Sequence, residues 1–175
     1  MEKLHLKLIG IEDKDIVIDY VRELVSHGSN RDGVWYEEST SFEEMLSNLK
    51  EHESTPYTSY EQEKPVCYQY LLLRDADLRL VGMVSIRPYL TRRLDETFGG
   101  NIGYSIRPSE RRKGYATMGL SLAVTECRKL NPTNSDIMVC CYRDNIGSRK
   151  AILKNGGTLI ETKEGIIPHE KYIIK

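Results

Sequence analysis

The chain reads as a mixed α/β domain whose sheet carries helices on both faces, in the order β-α-α-β-β-β-α-β-α-β-β. Three observations predict this. Short segments with period-two alternation or unbroken apolar character recur near 4–8, 66–73, 78–86, 101–107, 137–142, 158–162 and 170–174. Stretches with helical spacing fall between them, at 13–27, 41–52 and 114–130. No internal repeat, low-complexity segment or linker interrupts the 175 residues, so one domain over 1–175 is expected, burying roughly 70% of its unfolded surface.

Leu4, Leu6 and Leu8 alternate with His5 and Lys7, the pattern of a half-buried strand. From Asp13 to His27, the residues Ile16, Ile18, Val21, Leu24 and Val25 form a mainly apolar helix face, and Gly28 stands where a glycine ends a helix. Asn30, Asp32 and Gly33 supply turn chemistry in the loop from Ser29 to Thr40, ahead of Trp35 and Tyr36. A second helix is predicted from Ser41 to His52, with Ser41 as N-cap, Glu44 as its capping-box partner and Phe42, Met45, Leu46 and Leu49 inward. The polar, proline-bracketed segment 53–65 is expected to be a loop, functional or mobile. Val66 to Leu73 and Leu78 to Ile86 flank Asp75-Ala76-Asp77 as a hairpin, and Tyr89, Leu90 and Leu94 suggest one short helical turn before the next strand.

The segment Asn101 to Leu130 carries the chemistry. Ile102, Tyr104 and Ile106 alternate with Gly103, Ser105 and Arg107, and Pro108 ends the ladder by removing a donor. Ala116, Leu120, Ala123, Val124, Cys127 and Leu130 then recur at helical spacing, so a helix begins near Gly114 and the loop SERRKGYA is its N-terminus. Such a terminus presents unpaired N–H groups and roughly half a positive charge, which favours acids. Arg111, Arg112 and Lys113 have the opposite sign, each disfavoured by ~0.3–1 kcal/mol at low salt, and Glu110 alone offsets them. The charges fit either a solvated basic loop or a cradle whose bound polyanion turns the penalty into a gain. Neither a Walker loop nor a Gly-x-Gly-x-x-Gly string occurs. Ile137 to Tyr142 follows as a fully apolar strand, then Arg143-Asp144-Asn145 leads into a short helix stopped at Asn155-Gly156-Gly157, and two strands close the chain.

Composition excludes several classes. With 25 basic against 26 acidic residues the net charge is -1, which gives no global field for nucleic acid or an anionic membrane. No apolar run approaches the ~20 residues of a membrane span, and MEKLHLKLIG lacks the apolar core of a signal peptide, so a cytoplasmic location is expected. Cys67, Cys127, Cys140 and Cys141 contain no C-x-x-C pair and read as small, reduced hydrophobes, the adjacent pair pointing to opposite sheet faces. His5, His27, His52 and His169 show no metal spacing, so no metal is expected.

Arg111-x-x-Gly114-x-Ala116, after a strand and opening a helix, resembles the acyl-coenzyme A signature Gln/Arg-x-x-Gly-x-Gly/Ala of the GNAT superfamily of N-acetyltransferases. A second match lies downstream. Asn145 and Ser148, followed by Lys154-Asn155-Gly156-Gly157, are similar to the family's Asn-x-x-Ala/Ser and Lys-x-Gly-Phe, with Gly157 departing from Phe. The element order is similar too, so the resemblance covers essentially the whole chain. IGY, RKGYAT and the apolar Ile152 look most like the branch of ribosomal-protein N-terminal acetyltransferases.

The resemblance implies a mixed, mostly antiparallel sheet of about seven strands, acetyl-coenzyme A as cosubstrate, and direct transfer to a primary amine of a small molecule or a peptide N-terminus. It implies cofactor contacts from Ser105, Ile106 and Arg107, whose strand bonds the pantetheine, from Arg111, Arg112, Lys113, Gly114, Tyr115, Ala116 and Thr117 around the phosphates, and from Asn145 and Ser148. Taken singly, Asn145 reads as a plain turn or cap residue, and only its combination with the rest of the motif favours the cofactor role. Where relatives keep a catalytic Tyr this chain has Ile152, and where some keep a strand-four Glu it has Gly100 and Asn101. Glu96 and Tyr172 are the replacement candidates, although each also fits a plain role, as a solvated loop acid and a strand aromatic. The acceptor pocket is expected from Trp35, Tyr36, the 53–65 loop and Tyr89 to Phe98. The absent acid and base leave a second class open, a catalytically silent acyl-coenzyme A-binding or sensing domain, and both a monomer and a homodimer fit.

Overall fold

The structure, a computed structural model, describes residues 2–175. Its elements are β1 (Leu4–Leu8), α1 (Lys14–Ser26), α2 (Phe42–Glu53), β2 (Tyr68–Arg74), β3 (Leu80–Ile86), α3 (Arg92–Glu96), β4 (Ile102–Ile106), α4 (Tyr115–Leu130), β5 (Ile137–Tyr142), α5 (Ile146–Lys154), β6 (Thr158–Lys163) and β7 (His169–Ile174). Seven strands form one sheet in the order β1-β2-β3-β4-β5-β7-β6. Every pairing is antiparallel except β4 with β5, which is parallel and reduced to one register pair, Ile102 with Val139.

Helices cover both faces. On one, Val17, Tyr20, Val21 and Leu24 of α1 and Phe42, Met45 and Leu49 of α2 pack on Leu71, Leu73 and Met83. On the other, Leu120, Ala123, Val124 and Cys127 of α4 with Ile152 of α5 pack on Ile102, Val139 and Tyr172. Because β2 and β3 are covered on both sides, their central residues are buried without alternation.

The buried face of α1 is Val17-Tyr20-Val21-Leu24, rotated from the sequence expectation, so that Ile16 and Val25 stand exposed. A 3-10 turn at Ile11–Asp13 leads into the helix, and Tyr20 reaches β4 through the hydrogen bond of its hydroxyl to Ser105. Gly28 ends α1 with φ +58 as expected, and Ser41 caps α2 by accepting from the Glu44 N–H at 3.1 Å. Leu78 belongs to the β2–β3 turn rather than to the strand, with φ +56 and an exposed side chain. Tyr36, expected at the acceptor pocket, is a core residue set edge-on to Phe42.

Candidate active site

β4 and β5 separate just after they meet. Gly100 has φ +110, and a Cβ there would stand 2.8 Å from the Met138 carbonyl oxygen, so only glycine brings the strands together at this point. Asn101 locks the junction: its Nδ2 donates to the Arg87 carbonyl at 2.8 Å, and its Oδ1 accepts from the Met138 N–H at 2.8 Å. At the position where relatives often keep a Glu, this chain has a fully buried strand latch.

Beyond the junction the strands fork around a cleft of about 1080 Å³. The Arg107 N–H donates to the Val81 carbonyl at 2.9 Å, and the Arg87 N–H to the Asn101 carbonyl at 2.8 Å. By alternation, Ser105 and Arg107 turn their backbone groups to β3, while Tyr104 and Ile106 turn theirs to the departed β5. The expectation that Ser105 and Arg107 offer backbone groups to a ligand is therefore corrected. Tyr104 and Ile106 do so, and the Ile106 carbonyl already accepts from Arg111 Nε at 3.2 Å.

The Arg107 side chain faces away from the cleft. It is 4% exposed, with Nη1 2.9 Å from Asp19 and 2.8 Å from Glu23, Nε donating to the Leu80 carbonyl at 2.8 Å, and the guanidinium over the Tyr20 ring. Burial alone would raise the Glu23 carboxyl, but bonds from the Ser109 N–H and Arg107 outweigh it and hold it low. Ser105 lines the cleft, and its hydroxyl shares a 2.9 Å hydrogen bond with Tyr20.

The basic loop divides its work. Glu110 is buried and faces three cations, Arg79 at 2.8 Å, Arg74 at 3.1 Å and Lys113 at 2.7 Å. Burial opposes its ionisation, yet those cations keep its carboxyl below the usual range. Arg111 Nη2 reaches the Ser29 hydroxyl at 2.8 Å, tying the loop to the end of α1. Arg112 is exposed at φ +67 and has no carboxylate partner among the described residues. Gly114 precedes α4 at φ +86, where a Cβ would meet open space. No side chain caps α4 and no acid stands in its first turn, so the N–H groups of Tyr115, Ala116 and Thr117 open onto the cleft. The Tyr115 side chain itself is core, its hydroxyl bonded to Glu2 and Arg74.

The second motif lines the opposite wall. Asn145 caps α5, accepting from the Ser148 N–H at 3.0 Å, and the Ser148 hydroxyl lies 2.8 Å from the Tyr104 hydroxyl. Burial raises the Tyr104 phenol to about 12, against the hydrogen bond from Ser148.

Both sequence candidates for proton transfer fall outside the cleft. Glu96 stands exposed at the end of α3, in a separate shallow groove with Glu61, Glu63, Arg92 and Arg93. Tyr172 is a core residue whose hydroxyl donates to Glu170 at 2.6 Å, and Arg149 holds Glu170 from the other side. Burial and that carboxylate push the Tyr172 phenol up to about 12. Trp35 and Phe98, expected at the acceptor pocket, line the cleft, and the structure adds residues to which patterning assigned no site role: Asp32, Gly33 and Arg87. Only turn chemistry marked Asp32-Gly33 in the sequence.

A sheet forked at its one parallel pairing, with an uncapped, cation-flanked helix start at the fork, defines a receptor for an elongated phosphorylated ligand. The chain belongs to the acetyltransferase (GNAT) domain family, whose model matches residues 5–158; members take the acetyl group of acetyl-coenzyme A. No curated protein sequence matches it. Solved structures of similar fold include the ribosomal-protein-S5-alanine acetyltransferase of Vibrio fischeri (15% identity, TM-score 0.68, covering 99% of this chain and 93% of that one). They also include a Salmonella typhimurium acetyltransferase that modifies the N-terminal serine of ribosomal protein L7/L12 (15%, 0.64, 97% and 93%). A third is spermidine N-acetyltransferase from Vibrio cholerae, solved with coenzyme A and spermine (13%, 0.63, 98% and 94%). These likenesses show the shared fold. No helix among the described residues is long and apolar enough to cross a membrane.

Proposed function

We propose that residues 1–175 act as one catalytic domain that transfers the acetyl group of acetyl-coenzyme A directly to a primary amine, on a peptide N-terminus or a polyamine. The observation that carries this reading is the fork itself, where free backbone groups and an anion-binding helix start share one cleft. The phosphates would rest on the N–H groups of Tyr115, Ala116 and Thr117, with Arg111 and Arg112 alongside and Gly114 leaving room above. Lys113 contributes through Glu110, by fixing the loop.

The pantetheine amides would bond the backbone of Tyr104 and Ile106. Each such pairing relieves a polar group whose burial unpaired costs ~1–3 kcal/mol. Asn145 and Ser148 shape the wall opposite, and a strand N–H polarises the thioester carbonyl as the amine attacks.

The test is calorimetric binding of acetyl-coenzyme A, followed by free-thiol release with a panel of N-terminal peptides and polyamines. Binding with acceptor-dependent thiol release is expected. Binding without release for any acceptor would favour a silent acyl-coenzyme A sensor, and absence of binding would refute the cradle.

A further inference from the structure

We propose that Asp32 takes the proton from the acceptor amine, because this residue of the α1–α2 loop lines the β4–β5 cleft and its carboxylate has no cation partner among the described residues. This rests on the acetyl-transfer reading above and names the base that the reading leaves unassigned.

Position comes first. Asp32 is held through the next residue, Gly33, at φ +74, which lies so close on β4 that a Cβ would meet the Gly103 carbonyl oxygen at 2.4 Å. The Gly33 carbonyl accepts from Gln69 Nε2 at 2.8 Å, and Gln69 is fully buried and also donates to the Val84 carbonyl at 2.9 Å. The Val34 N–H closes the turn on the Arg31 carbonyl at 3.1 Å. These contacts anchor on strand backbone the turn that carries the acid.

The surroundings suit the role. Burial raises the Asp32 carboxyl above its ordinary value; the phenols of Tyr104 on β4 and Tyr142 on β5 are raised chiefly by their own burial, with the Asp32 charge adding a smaller push in the same direction. Arg87, at the exit of β3, lines the same cleft but donates its Nε to the Gly100 carbonyl at 2.8 Å. Phe98, stacked on Tyr142 at 4.4 Å, adds an apolar wall. The other acid, the histidine and the thiols lining the cleft are committed or remote. Glu110 is neutralised by three cations, His27 bonds the Glu23 carbonyl at the α1 end, and the Cys140 and Cys141 thiols are pushed up by burial.

The step balances without a further reactant. The acceptor ammonium gives one proton to the Asp32 carboxylate, and the neutral amine attacks the thioester carbonyl carbon. The C–N bond forms, the C–S bond breaks, and the second proton on nitrogen passes to the departing coenzyme A thiolate. Asp32 then returns its proton to solvent.

Asp32→Asn and Asp32→Glu are compared with wild type, using whichever peptide or polyamine of the panel supports thiol release. For Asp32→Asn, kcat/KM should fall by ~10²–10⁴-fold with acetyl-coenzyme A affinity unchanged within about twofold, and Asp32→Glu should restore part of the rate. Wild-type kcat/KM should fall on the acid side as Asp32 protonates, whereas Asp32→Asn should lose that limb and climb steadily toward the amine's own pKa. A folded Asp32→Asn protein within threefold of wild type, or one whose pH profile matches wild type, overturns the assignment. Wild-type protein that binds acetyl-coenzyme A but acetylates nothing overturns the transfer reading, and Asp32 with it.

Discussion

Replacing Arg107 by Met separates the two roles open to this residue, a cofactor contact and a structural cation. Arg107 joins β4 to α1: its guanidinium meets Glu23 at 2.8 Å, Asp19 at 2.9 Å and the Leu80 carbonyl at 2.8 Å. Asp19 is 74% exposed on its side chain, so that arm contributes only the ~0–1 kcal/mol of a surface pair. The Glu23 side chain is 19% exposed and would keep only the Ser109 N–H, and the Leu80 carbonyl would lose the Nε–H, each loss costing ~1–3 kcal/mol. Met retains the contact of the aliphatic stem. The sum is about 2–7 kcal/mol, which at ~2–4 °C per kcal/mol for a chain of this size lowers Tm by on the order of 10 °C.

Protonation changes the effect in a known direction. Glu23 sits below its ordinary value of 4.5 when folded, so its stabilisation is complete above that value and lost as pH falls through the lower folded one. The gap between wild type and Arg107→Met should narrow on that acid side. Calorimetric unfolding and acetyl-coenzyme A titration are the assays, with affinity in the folded variant expected within about threefold of wild type. A Tm within ~2 °C of wild type, or affinity lost at unchanged stability, would refute the structural account and return Arg107 to the cofactor.

Gly114→Glu should keep the fold, since its Cβ points into open space, while losing at least ~10-fold in acetyl-coenzyme A affinity through strain at φ +86 and repulsion at the helix start; wild-type affinity would place the phosphates elsewhere. Gly33→Ala should displace the 29–34 loop, because backbone occupies the Cβ position, and depress kcat more than cofactor binding; steady-state kinetics beside calorimetry checks this. Thiol labelling of half-buried Cys140 and buried Cys141 should be slow at neutral pH and accelerate with alkalinity, since desolvation raises both thiols, Cys141 to about 11; rapid labelling at neutrality would contradict that desolvation.

Local chemistry made much of the molecule readable. The Ser41 cap, the Gly28 stop and the start of α4 at Gly114 depend on neighbours a few residues away, so they appear where the sequence places them. The strand–basic loop–helix unit was legible for the same reason: its parts are contiguous in the chain. Burial faces were harder. Tyr20 is inward because Ser105, 85 residues further on, offers its hydroxyl a partner, and no periodicity carries that information.

The sequence by itself determined the element order, the family signature and the basic, uncapped helix start, all set by local spacing and backbone preference. Only the tertiary structure decided which backbone groups face the fork, since strand alternation is read against a partner strand, and Arg107 was placed with α1 by that pairing. It also moved Glu96 to a different groove and brought Asp32 in. A carboxylate's chemistry depends on its desolvation and its neighbours, and for Asp32 these come from β4 and β5, remote in sequence and adjacent only once the sheet has formed.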